Sequence, residues 1–496
     1  MQNINIKNSR KWLLLPHKNC TFAPAMIIIA VVLTYFAILY AISWWTAQRS
    51  TNDTFFRAGR KSPWYMVAFG MVGASISGVT FVSVPGMVMK MQMTYLQTCI
   101  GFILGYLSIA FVLLPLYYRS NLTSIYSYLG QRLGRWSHKT GSSFFLLSKM
   151  VGASLRFYVV CIILQRFVFA LMGVPFVLTV IGLVALIWLY TRQGGIKTLV
   201  WTDSLQTVCL FTALLLMMYQ VMTDLGMTVG EAVTAVCQSE LSRVFVLDDW
   251  VSKQNFWKQL LSGIFIAIVM TGLDQDMMQK NLTCKNLCEA QKDMCTYGFA
   301  FVPANLLFMA LGVLLVLLAH QQGGVLPATG DELLPQYVEQ SGVLVTALFT
   351  LGIVAASFSS ADSALTSLTT IYCVDIREQP DNEQLRKRTH VLMCIVFVLF
   401  ILLFKAVNST SLIDAVYIIV SYTYGPLLGL FAYGLLTNRG VNDRLVPYIA
   451  LASPLLCYAI DYWVGLQTGY RFGYELLMLN GLLTFMALWL TARCSS

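Results

Sequence analysis

Charge is scarce in this chain. Only 11% of its 496 residues are Asp, Glu, Lys or Arg, and 57% are hydrophobic. A soluble domain carries roughly 25% charged residues, so a water-compatible surface cannot be built from this composition. Period-two alternation is missing as well. The apolar runs Met26–Trp45, Leu178–Tyr190 and His390–Phe404 lack the roughly 10-residue in-out pattern of a membrane barrel strand. The spanning elements are therefore helices, which satisfy their own backbone in lipid. No phosphate-cradling glycine loop with its lysine occurs, which excludes an ATP motor. No His/Glu metalloprotease pattern or nucleophile elbow occurs either. The four histidines, His17, His138, His320 and His390, fall at loops or helix ends. These absences argue against an enzyme. The longest hydrophilic stretches, 224–255 and 320–343, are too short to fold alone.

Two features that invite other readings dissolve on inspection. The net charge of +10 is spread over short loops, without the basic face of a nucleic-acid binder. The twelve cysteines are no disulfide framework, because most of them, such as Cys99, Cys161, Cys209, Cys394 and Cys457, sit inside apolar runs as small hydrophobes. Cys284 and Cys288 share a short loop but have no second pair nearby, so no metal site beyond a transported Na⁺ is expected.

What is present is a series of apolar runs, each near the roughly 20 residues needed to cross a bilayer. They predict an all-α polytopic membrane protein of about thirteen spans, near 25–46, 63–88, 93–118, 140–171, 173–191, 198–223, 256–279, 293–319, 344–375, 389–406, 410–436, 446–464 and 471–492. The whole chain, 1–496, forms one transmembrane domain without a linker. Orientation follows from loop lysines and arginines. Alternate loops hold Arg49, Arg57, Arg60 and Lys61; Arg119, Arg132, Arg135 and Lys139; Arg192 and Lys197; Lys280, Lys285 and Lys292; Arg377, Arg386, Lys387 and Arg388; and Arg439 and Arg444, with Arg493 in the tail. Loop 320–343 has acids but no Lys or Arg. The basic set and the C-terminus are expected in the cytoplasm, which puts the N-terminus outside in the inner membrane of a bacterium. The basic N-terminal arm (Lys7, Arg10, Lys11, Lys18) contradicts that placement, and a translation start at Met26 would reconcile it.

Charges and helix breakers inside a bilayer are costly and mark function. The second span holds Gly73-Ala-Ser-Ile-Ser-Gly78, then Pro85-Gly86. It is either a tight packing face of small residues or an interrupted helix whose freed carbonyls ligate a cation. The ninth span runs Ala355-Ala-Ser-Phe-Ser-Ser-Ala-Asp-Ser363, with Thr366, Ser367, Thr369 and Thr370. Its hydroxyls around the buried acid Asp362 suit a hard cation. The sixth span opens with Gly194-Gly195 and continues to Trp201-Thr-Asp203 and Gln206. Asp203 is either a ligand or an interfacial cap. In the seventh, Thr271-Gly272-Leu-Asp274-Gln-Asp276, Gly272 marks a possible second interruption, and Asp274 and Asp276 are either functional or simply solvated. Arg156 in mid-span pairs with an internal acid or awaits an anion, for which its planar fork is suited.

These segments, with Tyr424-Gly-Pro-Leu-Leu-Gly429, resemble the sodium:solute symporter family over roughly 25–490 and in the family's order. The resemblance implies a leucine-transporter-like fold. It comprises two five-helix inverted repeats, here 63–223 and 256–436, each with a broken first helix, preceded by the helix 25–46 and followed by two trailing helices over 446–492. It also implies a shared sodium site made by the carbonyls of Gly73, Ile76 and Ala356 and the hydroxyls of Ser359 and Ser360. Alanine at the position of Gly73 in relatives would be harmless to a carbonyl ligand. A second sodium would use Asp203, Asp362 and Ser363. Asp362 replaces a serine of those relatives, and two carboxylates there either strengthen cation binding or share a proton.

For substrate, the resemblance implies Ser75, Ser77, Thr80, Tyr95, Gln97 and Arg156. The Glu and Gln of sugar-transporting relatives are replaced by Val79 and Thr80, which argues against galactose-like recognition. The expected function is sodium-coupled import of a small carboxylate-bearing solute by alternating access, either a sialic or other sugar acid or a monocarboxylate. Na⁺ is the coupling ion, with no cofactor and no nucleic-acid partner. The alternatives are a proton-coupled or neutral-sugar symporter of the same fold, or a transporter-like membrane sensor.

Overall fold

The structure is a computed structural model that describes residues 22–46, 51–250, 252–407, 421–470 and 472–492. Residues 1–21 of the basic N-terminal arm, the stretch 410–420 of the eleventh span and Arg493 lie outside the described residues. Among the described residues the fold is helical, and the sole β contact is an isolated bridge between Ser62 and Cys284.

The helices in order are α1 (Phe22–Thr46), α2 (Asn52–Arg57), α3 (Trp64–Ser75), α4 (Gly78–Met91), α5 (Tyr95–Ser108), α6 (Leu114–Arg119), α7 (Ser127–Arg132), α8 (Arg135–Leu164), α9 (Phe176–Gly194) and α10 (Ile196–Leu225). There follow α11 (Val229–Gln238), α12 (Phe256–Ala267), α13 (Gln275–Asn281), α14 (Leu287–Gln321), α15 (Leu333–Gln340), α16 (Val343–Ile371) and α17 (Glu383–Val407). The last three are α18 (Gly425–Leu436), α19 (Val446–Thr468) and α20 (Leu476–Leu490). Among the described residues, eight helical stretches are long and apolar enough to cross a membrane, and two bent pairs raise this to ten. Three shorter apolar helices, Phe176–Arg192, Gly425–Leu436 and Leu476–Leu490, fall in other predicted segments. Length and apolarity alone thus reach ten spans, short of the thirteen expected.

Both bent pairs lie where small or polar residues interrupt an apolar run. Between α3 and α4 the axis turns by 62°. Ile76 (φ −83°, ψ 88°) and Ser77 (φ −76°, ψ 170°) leave the helical region there. The second pair turns by 70°. There α12 ends in a π turn over Ile268–Gly272, and Asp274 then caps α13 by accepting from the Asp276 amide at 2.9 Å. π turns and broken helices at membrane depth recur where a cavity or ion site must be lined.

The basic loops meet at one end of the bundle. Asn52 donates to the Pro380 carbonyl at 2.9 Å, and the Ser62 amide donates to that of Thr283 at 3.2 Å. Lys139 caps the π turn Tyr372–Ile376 that continues α16, through the carbonyls of Asp375 and Ile376, and Asp443 accepts from the amides of Trp136 and Ser137. Cations on a helix C-terminus and a carboxylate on an N-terminus are the favourable arrangement. One histidine departs from expectation. His390 lies within α17, buried between the hydroxyls of Thr191 and Thr369 at 2.9 and 3.0 Å.

Candidate functional site

The first break faces α16. The Ser360 hydroxyl donates to the Ala74 carbonyl at 2.9 Å and lies 3.3 Å from the Ala356 carbonyl. Backbone oxygens of the broken helix and of α16 therefore flank one hydroxyl. The close approach depends on two glycines. A methyl group at Gly78 would meet Ser357 Oγ at 2.0 Å, and one at Gly73 would meet Thr207 Oγ1 at the same distance. An alanine at position 73 would leave the backbone carbonyl in place but would press on Thr207 of α10, which already fills the space. Ile76 is fully buried at the break, and Ser359 turns the other way, donating to Asp203 Oδ1 at 2.7 Å.

Asp203 is not an interfacial cap. It is 1% exposed, and its second oxygen lies 2.8 Å from Lys280 Nζ, itself 2% exposed. Asp362, also buried, accepts from Tyr190 at 2.7 Å and from Ser363 at 3.3 Å. Lys280 was counted among the loop cations, yet it belongs to α13 and lies in the interior. Asp274 and Asp276 are likewise not solvated: they are 3% and 5% exposed. Lys149 of α8 lies 3.0 Å from Asp274 and 2.6 Å from Asp276, and Tyr424 donates to Asp274 at 2.8 Å. An unpaired charge at this depth would be prohibitive, and both lysines lie in contact with acids.

A cavity of about 110 Å³ lies beside the break. Ser75, Ser77, Thr80, Tyr95 and Arg156 all line it, together with Ser360, Lys149, Asp274 and Asp276. Its aromatic wall includes Phe102, Tyr106, Tyr297 and Phe301. Tyr297 ties that wall to the broken helix through Ser75 at 2.6 Å and Tyr106 at 2.9 Å. Arg156 is half-buried, and no acid among the described residues forms an ion pair with it. Gln97 does not join the cavity. Its carboxamide accepts from the Val246 amide at 3.2 Å and donates to the Gln254 carbonyl at 2.9 Å, which pins loop 243–256 to α5.

Sequence reading missed Lys149 and Lys280. A signal was available for each. Lys149 stands seven residues, about two turns, before Arg156 in the same apolar run, and Lys280 follows Asp276 at i, i+4 spacing.

A broken helix packed on a serine-rich helix, with a buried acid beyond, gathers oxygen atoms of the kind a hard cation takes. The family described as sodium:solute symporter matches residues 55–444. The chain belongs to this family. Among its relatives is the sodium/sialic acid symporter NanT of Aliivibrio fischeri, 26% identical over 458 residues, covering 88% of this chain and 87% of that one. The sodium/sialic acid symporter SiaT of Proteus mirabilis is 24% identical over 430 residues, covering 83% and 84%. A solved Na⁺-coupled sialic acid symporter in a substrate-bound outward-open state superposes with a TM-score of 0.79. It is 21% identical and covers 94% of this chain and 99% of that one. That likeness establishes the fold. As a sodium:solute symporter, the protein is an integral membrane transporter driven by Na⁺, not an enzyme.

Proposed function

We propose that this protein imports a carboxylate-bearing sugar, a sialic or related sugar acid, together with Na⁺ across a bacterial inner membrane. Arg156 carries the reading: a guanidinium in the cavity beside the break, unclaimed by any internal acid among the described residues. It receives the carboxylate as a bidentate pair. Ser75, Ser77 and Thr80 at the break and Tyr95 at the head of α5 take the hydroxyls. Gln97 acts through the loop it holds. The solved sialic acid symporter and the two sialic acid symporters among the relatives support this substrate class.

One Na⁺ is held by the carbonyls of Gly73, Ile76 and Ala356 with the hydroxyls of Ser359 and Ser360, bracing the break against α16. A second is held by Asp203, Asp362 and Ser363. The inverted repeats are 63–223 and 256–436, and their first helices bend around the substrate. The basic loops and the C-terminus face the cytoplasm, with the N-terminus outside.

Energetics favour two ions. Each Na⁺ moving inward gains about 2.3 kcal/mol per 100 mV, and a tenfold gradient adds about 1.4 kcal/mol. A monoanion cancels the electrical gain of one ion, so a second Na⁺ restores it. The test is uptake of labelled N-acetylneuraminate into proteoliposomes. An inward Na⁺ gradient should drive accumulation, an inside-negative potential should raise it, and a proton gradient alone should do nothing. Accumulation on a proton gradient without Na⁺ overturns the coupling. Uptake of neutral sugars in preference to acids overturns the substrate class.

A further inference from the structure

The inner half of the second broken helix, α13, is only seven residues long and hangs from the hinge at Leu273–Asp274. Two buried lysines tie it to its neighbours. Lys149 of α8 grips it through Asp274 and Asp276, and its own Lys280 reaches Asp203 of α10 at 2.8 Å. Both oxygens of Asp203 are thereby engaged, Oδ1 by the Ser359 hydroxyl and Oδ2 by Lys280. A sodium ion approaching Oδ2 meets the Lys280 ammonium, 2.8 Å from that oxygen.

A symporter must also return without its cargo. With no sodium bound, Asp203 would be a buried carboxylate in low dielectric, which is strongly unfavourable unless another cation is at hand. Lys280 is such a cation, fixed to a short hinged element. We propose that Lys280 is a tethered counter-ion that takes the place of sodium at Asp203 when the transporter returns empty, and that sodium displaces it. This rests on the reading of Asp203 as a sodium ligand. Lys280 is then a positioning residue for the ion cycle. Its distance from Asp203 reports whether the second ion is aboard, and α13 carries that information to Asp276 on the cavity wall, which shares this helix at i, i+4 spacing.

The same geometry could belong to an ion pair that only holds the helices together, and two transport assays separate these. Net uptake requires the empty return. Exchange of labelled for unlabelled substrate, with equal Na⁺ on both sides, does not. In Lys280→Gln, net uptake should fall at least tenfold while exchange stays within twofold of the parent. The Na⁺ concentration for half-maximal exchange should drop, because a competitor has gone. Lys280→Arg should restore net uptake. The neutral pair Asp203→Asn/Lys280→Gln, which leaves no unpaired charge, should recover net uptake above that of Lys280→Gln. Equal loss of net uptake and exchange in Lys280→Gln, unchanged behaviour, or a neutral pair no better than the single variant would overturn the proposal. Failure of the second-sodium reading looks different: Asp203→Asn would then leave the Na⁺ dependence of exchange unaltered.

Discussion

The hydroxyl of Ser360 spans from α16 to the Ala74 carbonyl at 2.9 Å, one residue before Ser75 ends α3. Through this contact the serine-rich helix touches the broken helix at the depth where backbone oxygens come free. Removing it loses a hydrogen bond of about 0.5–1.5 kcal/mol and, in the proposed function, a sodium ligand. Ser360→Ala should raise the half-saturating Na⁺ concentration about tenfold, equivalent to about 1.4 kcal/mol. Ions that bind only the folded state stabilise it by mass action. The Tm rise on replacing choline with Na⁺ should therefore shrink in this variant.

Arg156 faces the cavity with no internal counter-ion among the described residues. Arg156→Ala should abolish the Tm increase produced by a sugar acid while leaving that produced by Na⁺. Arg156→Lys keeps the charge but not the planar fork, and affinity should fall by about one to two orders of magnitude. Binding of the acid unchanged in Arg156→Ala would remove Arg156 from the site.

Gly73 stands against Thr207, which is also held by the Asp203 carbonyl at 2.7 Å. Gly73→Ala forces the two helices apart and should destabilise the protein by about 1–3 kcal/mol, the usual range for overpacking. Adding Thr207→Ala opens the space again. The double variant should regain most of the loss, and an additive outcome in the cycle would show that the two positions do not interact.

Lys149 is the cation that faces both Asp274 and Asp276 in the interior. Lys149→Met leaves both acids without their cation and should cost about 3–5 kcal/mol, the range for breaking a buried pair. Combining it with Asp274→Asn and Asp276→Asn removes the stranded charge. Thermal unfolding in detergent should place the triple variant well above the single one.

The membrane class, the helical character and the place of the first break were all legible in the residues. Charge content, run length and the placement of glycines and serines act locally, and a bilayer punishes any violation. The basic loops were likewise readable as one set, and the structure gathers those that it describes at one end. Ser75, Ser77, Thr80, Tyr95 and Arg156 were named from motif and resemblance, and they share one cavity. Gln97 belonged to the same list but serves a loop, because side-chain direction on α5 is set by the packing of residues 243–256.

By itself, then, the sequence determined a helical membrane transporter with polar interruptions at Gly73–Gly78 and near Gly272. Only the tertiary structure decided which buried charges answer each other. Lys280 is 77 residues from Asp203, and Lys149 is 125 residues from Asp274, so neither pairing has any local trace. They exist because low dielectric makes every buried charge seek a partner, and only the packing of α8, α10 and α13 determines which partner lies within reach.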